Sequence, residues 1–108
     1  MPATPTPTPL TEAEIDQALA ALPGWSVREG RLTAGFTADR GALPGLYAAV
    51  AGAEDESNHH ADIHILYATI TFGLNTHDAG DAITALDTAL AARITTLAKE
   101  HGARAAGG

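Results

Sequence analysis

The stretch DIHILYATITFGLN, residues 62–75, most constrains the fold. Ile63, Ile65 and Tyr67 alternate with other residues, and Ile70, Phe72 and Leu74 alternate again. A period of two marks strands with one apolar face, and that face must be covered. Ala68-Thr69 carries no strong turn signal. Two strands are expected, with one long bent strand as the alternative. WSVREGRLTAGFT, upstream, has the same character: Trp25 and Val27 alternate with polar residues, and Leu32, Ala34 and Phe36 with small ones. Glu29-Gly30 lies between those runs, where a tight hairpin needs a residue tolerant of positive φ.

Helical segments supply the cover. Thr11 and Glu14 make a capping box, and Leu10 with Ile15 is spaced as a hydrophobic staple. Ile15, Ala18, Leu19 and Leu22 then form one apolar face, ended by Pro23-Gly24. DRGALPGLYAAVAGAEDE predicts a weaker helix. Pro44 fits as its first residue, Gly45 and Gly52 weaken it, and Leu46, Val50 and Ala53 define its face before it ends on Glu54, Asp55 and Glu56. The last helix opens at Thr84 with Asp87 three residues on, and Leu86, Leu90, Ile94 and Leu97 make its core stripe. The order α-β-β-α-β-β-α predicts the α+β class: a four-stranded antiparallel sheet with three helices packed on one face. Residues 1–9, alternating Pro with Thr or Ala, read as a disordered or extended tail, 10–101 as a single domain, and 102–108 as a frayed tail.

At 108 residues the chain can bury one modest core, built mainly from Leu, Ile, Val and Ala because aromatics are only 5%. Six Lys and Arg against thirteen Asp and Glu give a net charge of −7, which argues against nucleic acid or an anionic membrane as partner. With no cysteine, disulfides, thiolate metal sites and cysteine nucleophiles are excluded. No apolar run reaches membrane-spanning length, and MPATPTPTPL lacks the basic start and apolar stretch of a signal peptide, so a cytoplasmic protein is expected.

The chemistry-bearing residues concentrate in NHHADIH, Asn58 to His64, which holds three of the five histidines. Imidazole exchanges protons near neutrality, so His59-His60 is a candidate acid/base pair. His77 sits on the polar face at the end of the second β-run, opposite Ile70, Phe72 and Leu74, and whether it meets the pair is a matter of tertiary structure. A solvated face is the ordinary account of Glu54-Asp55-Glu56, and helix capping is the ordinary account of Asp87. His60, Asp62 and His64, spaced by two, could project together as zinc or iron ligands, but that spacing also describes any exposed strand face.

DESNHHADIHILYATITFGLNTHD followed by LD resembles the signature of the pterin-4a-carbinolamine dehydratases. Asp55 fits its acidic position, His59-His60 its histidine pair, Tyr67 its aromatic, Thr76-His77 its second pair and Asp87 its distal acid. The hairpin from Gly24 to Phe36 also matches the family, and the resemblance spans roughly residues 10–100. Ala61 stands where the family usually has Pro, and Ile63 where it often has Trp. The resemblance implies a dehydratase acting on a 4a-hydroxytetrahydropterin, with no cofactor and no metal, in pterin recycling. It implies His59 and His77 as the acid/base pair, His60 as chiefly binding and orienting the pterin, and Asp55 as orienting a histidine. Asn58, Asn75, Thr76, His77 and Asp78 would contact the ring, with Asp87 nearby. A catalytically lapsed member serving as a dimerisation or assembly partner is the second reading, and a His/Asp metal-binding protein the third. Open sheet edges and alanine-rich helices favour a homodimer or homotetramer.

Overall fold

A computed structural model describes residues 7–106. Its elements run α1 (Glu12–Ala20), β1 (Ser26–Arg28), β2 (Arg31–Thr37), α2 (Leu43–Ser57), β3 (Asp62–Leu66), β4 (Thr69–Leu74), α3 (Ala85–Glu100) and β5 (Arg104–Ala105), with single 3-10 turns at Arg40–Ala42 and His77–Ala79. The class is α+β, as the periodicities predict. The antiparallel sheet has the order β1-β2-β4-β3, with β5 added against β2. Residues 1–6 of the expected tail, and 107 and 108, lie outside the described residues.

Local chemistry accounts for most boundaries. Both capping boxes form, at Thr11 with Glu14 and at Thr84 with Asp87. The β1–β2 hairpin turns on Glu29 (φ 52) and Gly30 (φ 75), the two positive φ values a two-residue type I′ turn requires. Between β3 and β4 the chain is two strands and not one bent strand. Tyr67 takes φ 55, and the Arg40 guanidinium donates to its carbonyl at 2.5 Å. That tie comes from 27 residues away, which is why no local turn signal announces it. α2 begins one residue before Pro44, which still falls in the first turn, where its missing N–H costs nothing.

Alternate residues of β2 and β4 build the core. Leu32, Ala34 and Phe36 face the helices with Ile70, Phe72 and Leu74, all buried. α2 adds Leu43, Leu46, Val50 and Ala53, and α3 adds Leu90, Ala91, Ile94 and Ala98. The few aromatics meet edge to face: Trp25 on Phe36 at 6.3 Å and Phe36 on Phe72 at 6.0 Å. The indole N–H of Trp25 donates to Thr95 Oγ1 at 2.8 Å, tying α3 to the hairpin.

Two expectations need correction. The segment after residue 101 does not simply fray, because β1 covers only Arg31–Thr33 of the seven-residue β2. Arg104 and Ala105 pair with Thr37 and Phe36 on the strand edge left open, and the Ala106 N–H donates to the Gly35 carbonyl at 2.9 Å. Leu86, read as core, is 40% exposed, because the first turn of α3 overhangs a cleft.

Glu29 occupies a left-handed conformation that an asparagine tolerates better, at a cost for most side chains of roughly 1–2 kcal/mol. Glu29→Asn is expected to raise stability by about 0.5–1 kcal/mol in urea titration, and an unchanged midpoint would show that the turn stores no strain.

Candidate active site

The site begins where α2 stops. Asn58 adopts φ 52 and ψ 41, a left-handed cap that asparagine accepts more readily than most residues. The chain reverses there, and the His59 N–H donates to the Glu54 carbonyl at 3.1 Å. The two adjacent histidines then separate. His59 is buried, with Nε2 2.5 Å from Asp87 Oδ1. His60 is exposed, with Nε2 3.6 Å from Asp55 Oδ1, itself an exposed carboxylate. The carboxylate that touches the buried ring is therefore Asp87 and not Asp55.

Asp87 is fully buried and sits at the centre of a closed hydrogen-bond network. An ionised carboxylate can only accept, so His59 donates from Nε2 to Oδ1. The Thr76 hydroxyl and the Thr84 N–H both donate to Oδ2 at 2.8 Å. With its proton committed, Thr76 accepts from the Thr84 hydroxyl at 2.8 Å, and Thr84 Oγ1 accepts the Leu86 N–H at 3.2 Å. Every buried side-chain polar atom among the described residues has a partner. His59 is left with Nδ1 as its uncommitted nitrogen, an acceptor in this tautomer.

His77 arrives from the other side. The alternation of β4 carries on past its last residue, so Thr76 is buried and His77 exposed. Thr76 bridges to Ala82 across the turn that follows, and His77 Nδ1 lies 3.1 Å from Asp81 Oδ1, leaving Nε2 free. Asn58, His59, His60, Asn75, Thr76, His77, Asp78 and Leu86 line a cleft of about 280 Å³. Three imidazoles from two separate loops thus share one small cavity, next to a buried carboxylate that orients one of them. Such a site can move protons to and from a bound molecule.

Other sequence candidates fall elsewhere. Tyr67 is 80% exposed in the β3–β4 turn. Asp62 pairs with Arg31 at 2.7 Å, and both line, with His64, a different depression on the outer face of the sheet. His60 is not among those residues, so the His60, Asp62 and His64 set is not gathered. Among the described residues no group of three or more His, Cys, Asp or Glu is placed to hold a metal ion.

Sequence reasoning missed Leu86 as a cleft wall and Glu54 as a buried group. For Glu54 a signal existed: it follows Leu46 and Val50 at intervals of four on the buried stripe of α2.

Asp87→Asn keeps the size of the side chain but turns one acceptor into an amide donor that faces existing donors. A loss of about 1–3 kcal/mol is expected in urea titration, larger than cap removal alone would give at an exposed helix start.

The chain matches the family model "Pterin 4 alpha carbinolamine dehydratase" over residues 8–97. A Streptomyces coelicolor protein named "Putative pterin-4-alpha-carbinolamine dehydratase" is 40% identical over 96 residues, covering 88% of this chain and 95% of that one. A relative of the same name from Mycobacteroides abscessus is 42% identical over 89 residues, covering 81% and 93%. Among solved structures, the transcriptional coactivator/pterin dehydratase from Brucella melitensis superposes with a TM-score of 0.78 at 31% identity, covering 83% of this chain and 98% of that one. A match over most of the chain, with relatives of this identity, shows that the protein belongs to the pterin-4a-carbinolamine dehydratase family, a family of lyases.

Proposed function

We propose that this protein removes water from a 4a-hydroxytetrahydropterin to give the quinonoid dihydropterin, in recycling of the pterin after aromatic amino-acid hydroxylation. The single observation that carries the reading is the convergence of His59, His60 and His77 on one cleft in a chain of this family. The bond from C4a to its hydroxyl breaks as that oxygen takes a proton and leaves as water. The N5–H proton goes to a base, and its electron pair becomes the second bond between C4a and N5. His59 suits the base, because Asp87 holds Nε2 and leaves the Nδ1 lone pair free. His77 suits the acid, delivering a proton from Nε2 while Asp81 holds Nδ1. His60 binds and orients the pterin, with Asn58, Asn75, Thr76 and Asp78 as further contacts, while the exposed Asp55, 3.6 Å from its Nε2, adds only charge beside it. Asp87 acts through His59 and touches no substrate.

Freshly generated 4a-hydroxytetrahydropterin, followed by stopped-flow absorbance, is expected to decay faster with enzyme than in buffer, and a chelator should not slow it. His59→Ala and His77→Ala should each lower kcat/KM by about 10²-fold or more, the usual contribution of a positioned acid or base, whereas His60→Ala should act mainly on KM. No acceleration by the unaltered protein would sink the enzyme reading.

A second reading, an assembly partner for another protein, is favoured by the coactivator description of the Brucella melitensis structure. Self-association is supported by the open edge of β3, where Ile65 and Leu66 are exposed and Tyr47 is exposed on α2. Sedimentation should show a species heavier than one chain of 11.0 kDa, and a monomer at every concentration would remove that expectation.

A further inference from the structure

Glu54 is a buried carboxylate that the acid/base scheme leaves unused. It lies in the last turn of α2, and it grips the loop at two points. Its backbone carbonyl accepts the His59 N–H at 3.1 Å, and its side-chain Oε2 accepts the Ala61 N–H at 2.6 Å. One residue therefore clamps the chain immediately before and immediately after His60. The side chain of His60 has only the 3.6 Å approach of an exposed Asp55, which is too long to fix a ring. Its placement must come from the backbone on which it stands.

Position 61 gives the contact its meaning. Residue 61 is alanine, which carries a backbone N–H, whereas a proline there would have none to donate. A proline stiffens the chain after the histidine pair through its ring. Alanine does not, but it supplies an amide that a carboxylate can seize, and hydrogen bonds to an ionised acceptor are the stronger class.

We propose that Glu54 is a positioning residue, whose carboxylate holds the Ala61 amide and so sets His60 at the cleft while His59 stays on Asp87. The inference rests on the dehydratase reading for its kinetic consequence and on the hydrogen bond alone for its structural one. Glu54 and Ala61 form a matched pair in which the acid holds an amide that a proline at position 61 would lack.

Four variants of the full chain test this: Glu54→Ala, Glu54→Gln, Ala61→Pro, and Glu54→Ala with Ala61→Pro. Glu54→Ala should lower kcat/KM about tenfold, mostly through KM, since His60 loses its placement and not its chemistry. Glu54→Gln keeps an acceptor and should recover most of that loss. Ala61→Pro alone should be impaired, because the buried carboxylate loses its donor. The double variant should be better than either single, since proline then stiffens the loop with no carboxylate left unpaired. If the two positions acted independently, the two losses would instead add. Amide hydrogen exchange at Ala61 is read in the unaltered protein, Glu54→Ala and Glu54→Gln, and should be about tenfold faster in Glu54→Ala only.

Faster exchange with an unchanged kcat/KM would overturn the positioning role while the dehydratase reading stands. So would a double variant no better than the sum of its parts, or a Glu54→Gln as impaired as Glu54→Ala. Absence of dehydration by the unaltered protein would overturn the dehydratase reading and the kinetic role with it. Unchanged exchange at Ala61 in Glu54→Ala would overturn the clamp itself, whatever the kinetics.

Discussion

The buried carboxylate of Asp87 is the contact on which the rest of the site depends. It joins the loop after α2, 28 residues away, through His59, to the turn after β4 through Thr76 and to the start of its own helix through Thr84. An isolated buried carboxylate is very costly, so the group is tolerable only because donors converge on both oxygens. The same donors fix the tautomer of His59. Stability and chemistry thus draw on one set of hydrogen bonds, and a network of this kind is either complete or a liability.

The histidine pair shows how little side-chain chemistry decides by itself. His59 and His60 are identical and adjacent, yet one is buried against a carboxylate and the other stands in solvent. The left-handed turn at Asn58 makes the difference, because it ends α2 and aims the next residue inward. Glu54 then secures the far side of the turn. The acidic end of α2 is therefore not uniform: Asp55 and Glu56 are exposed, whereas Glu54 faces in and is tied to backbone.

Legibility in the sequence followed the range of each interaction. The capping boxes at Thr11 and Thr84 were readable because donor and acceptor stand three residues apart. The hairpin at Glu29-Gly30 and the alternation of β2 and β4 were readable for the same reason: period and turn chemistry are local. β5 was not, since two exposed residues carry no period and owe their strand to an unfilled edge of β2. The β3–β4 turn was not, since the guanidinium that holds Tyr67 lies 27 residues away. Glu54 was partly legible, at the spacing of Leu46 and Val50, but its charge argued for solvent.

By itself the sequence determined the α+β order, the apolar alternation of β2 and β4, the helix starts at Thr11 and Thr84, and the resemblance that singles out Asp55, His59, His60 and His77, with Asp87 nearby. Those features depend on spacings of two to four residues and on the identity of side chains. Only the tertiary structure decided that Asp87 serves His59 as well as its own helix, across 28 residues. It alone assigned the buried and exposed roles within the pair, and paired Glu54 with Ala61. Burial sets these outcomes: once water is excluded, each polar group must find a partner, and the nearest one is chosen by the packing of elements and not by the order of residues.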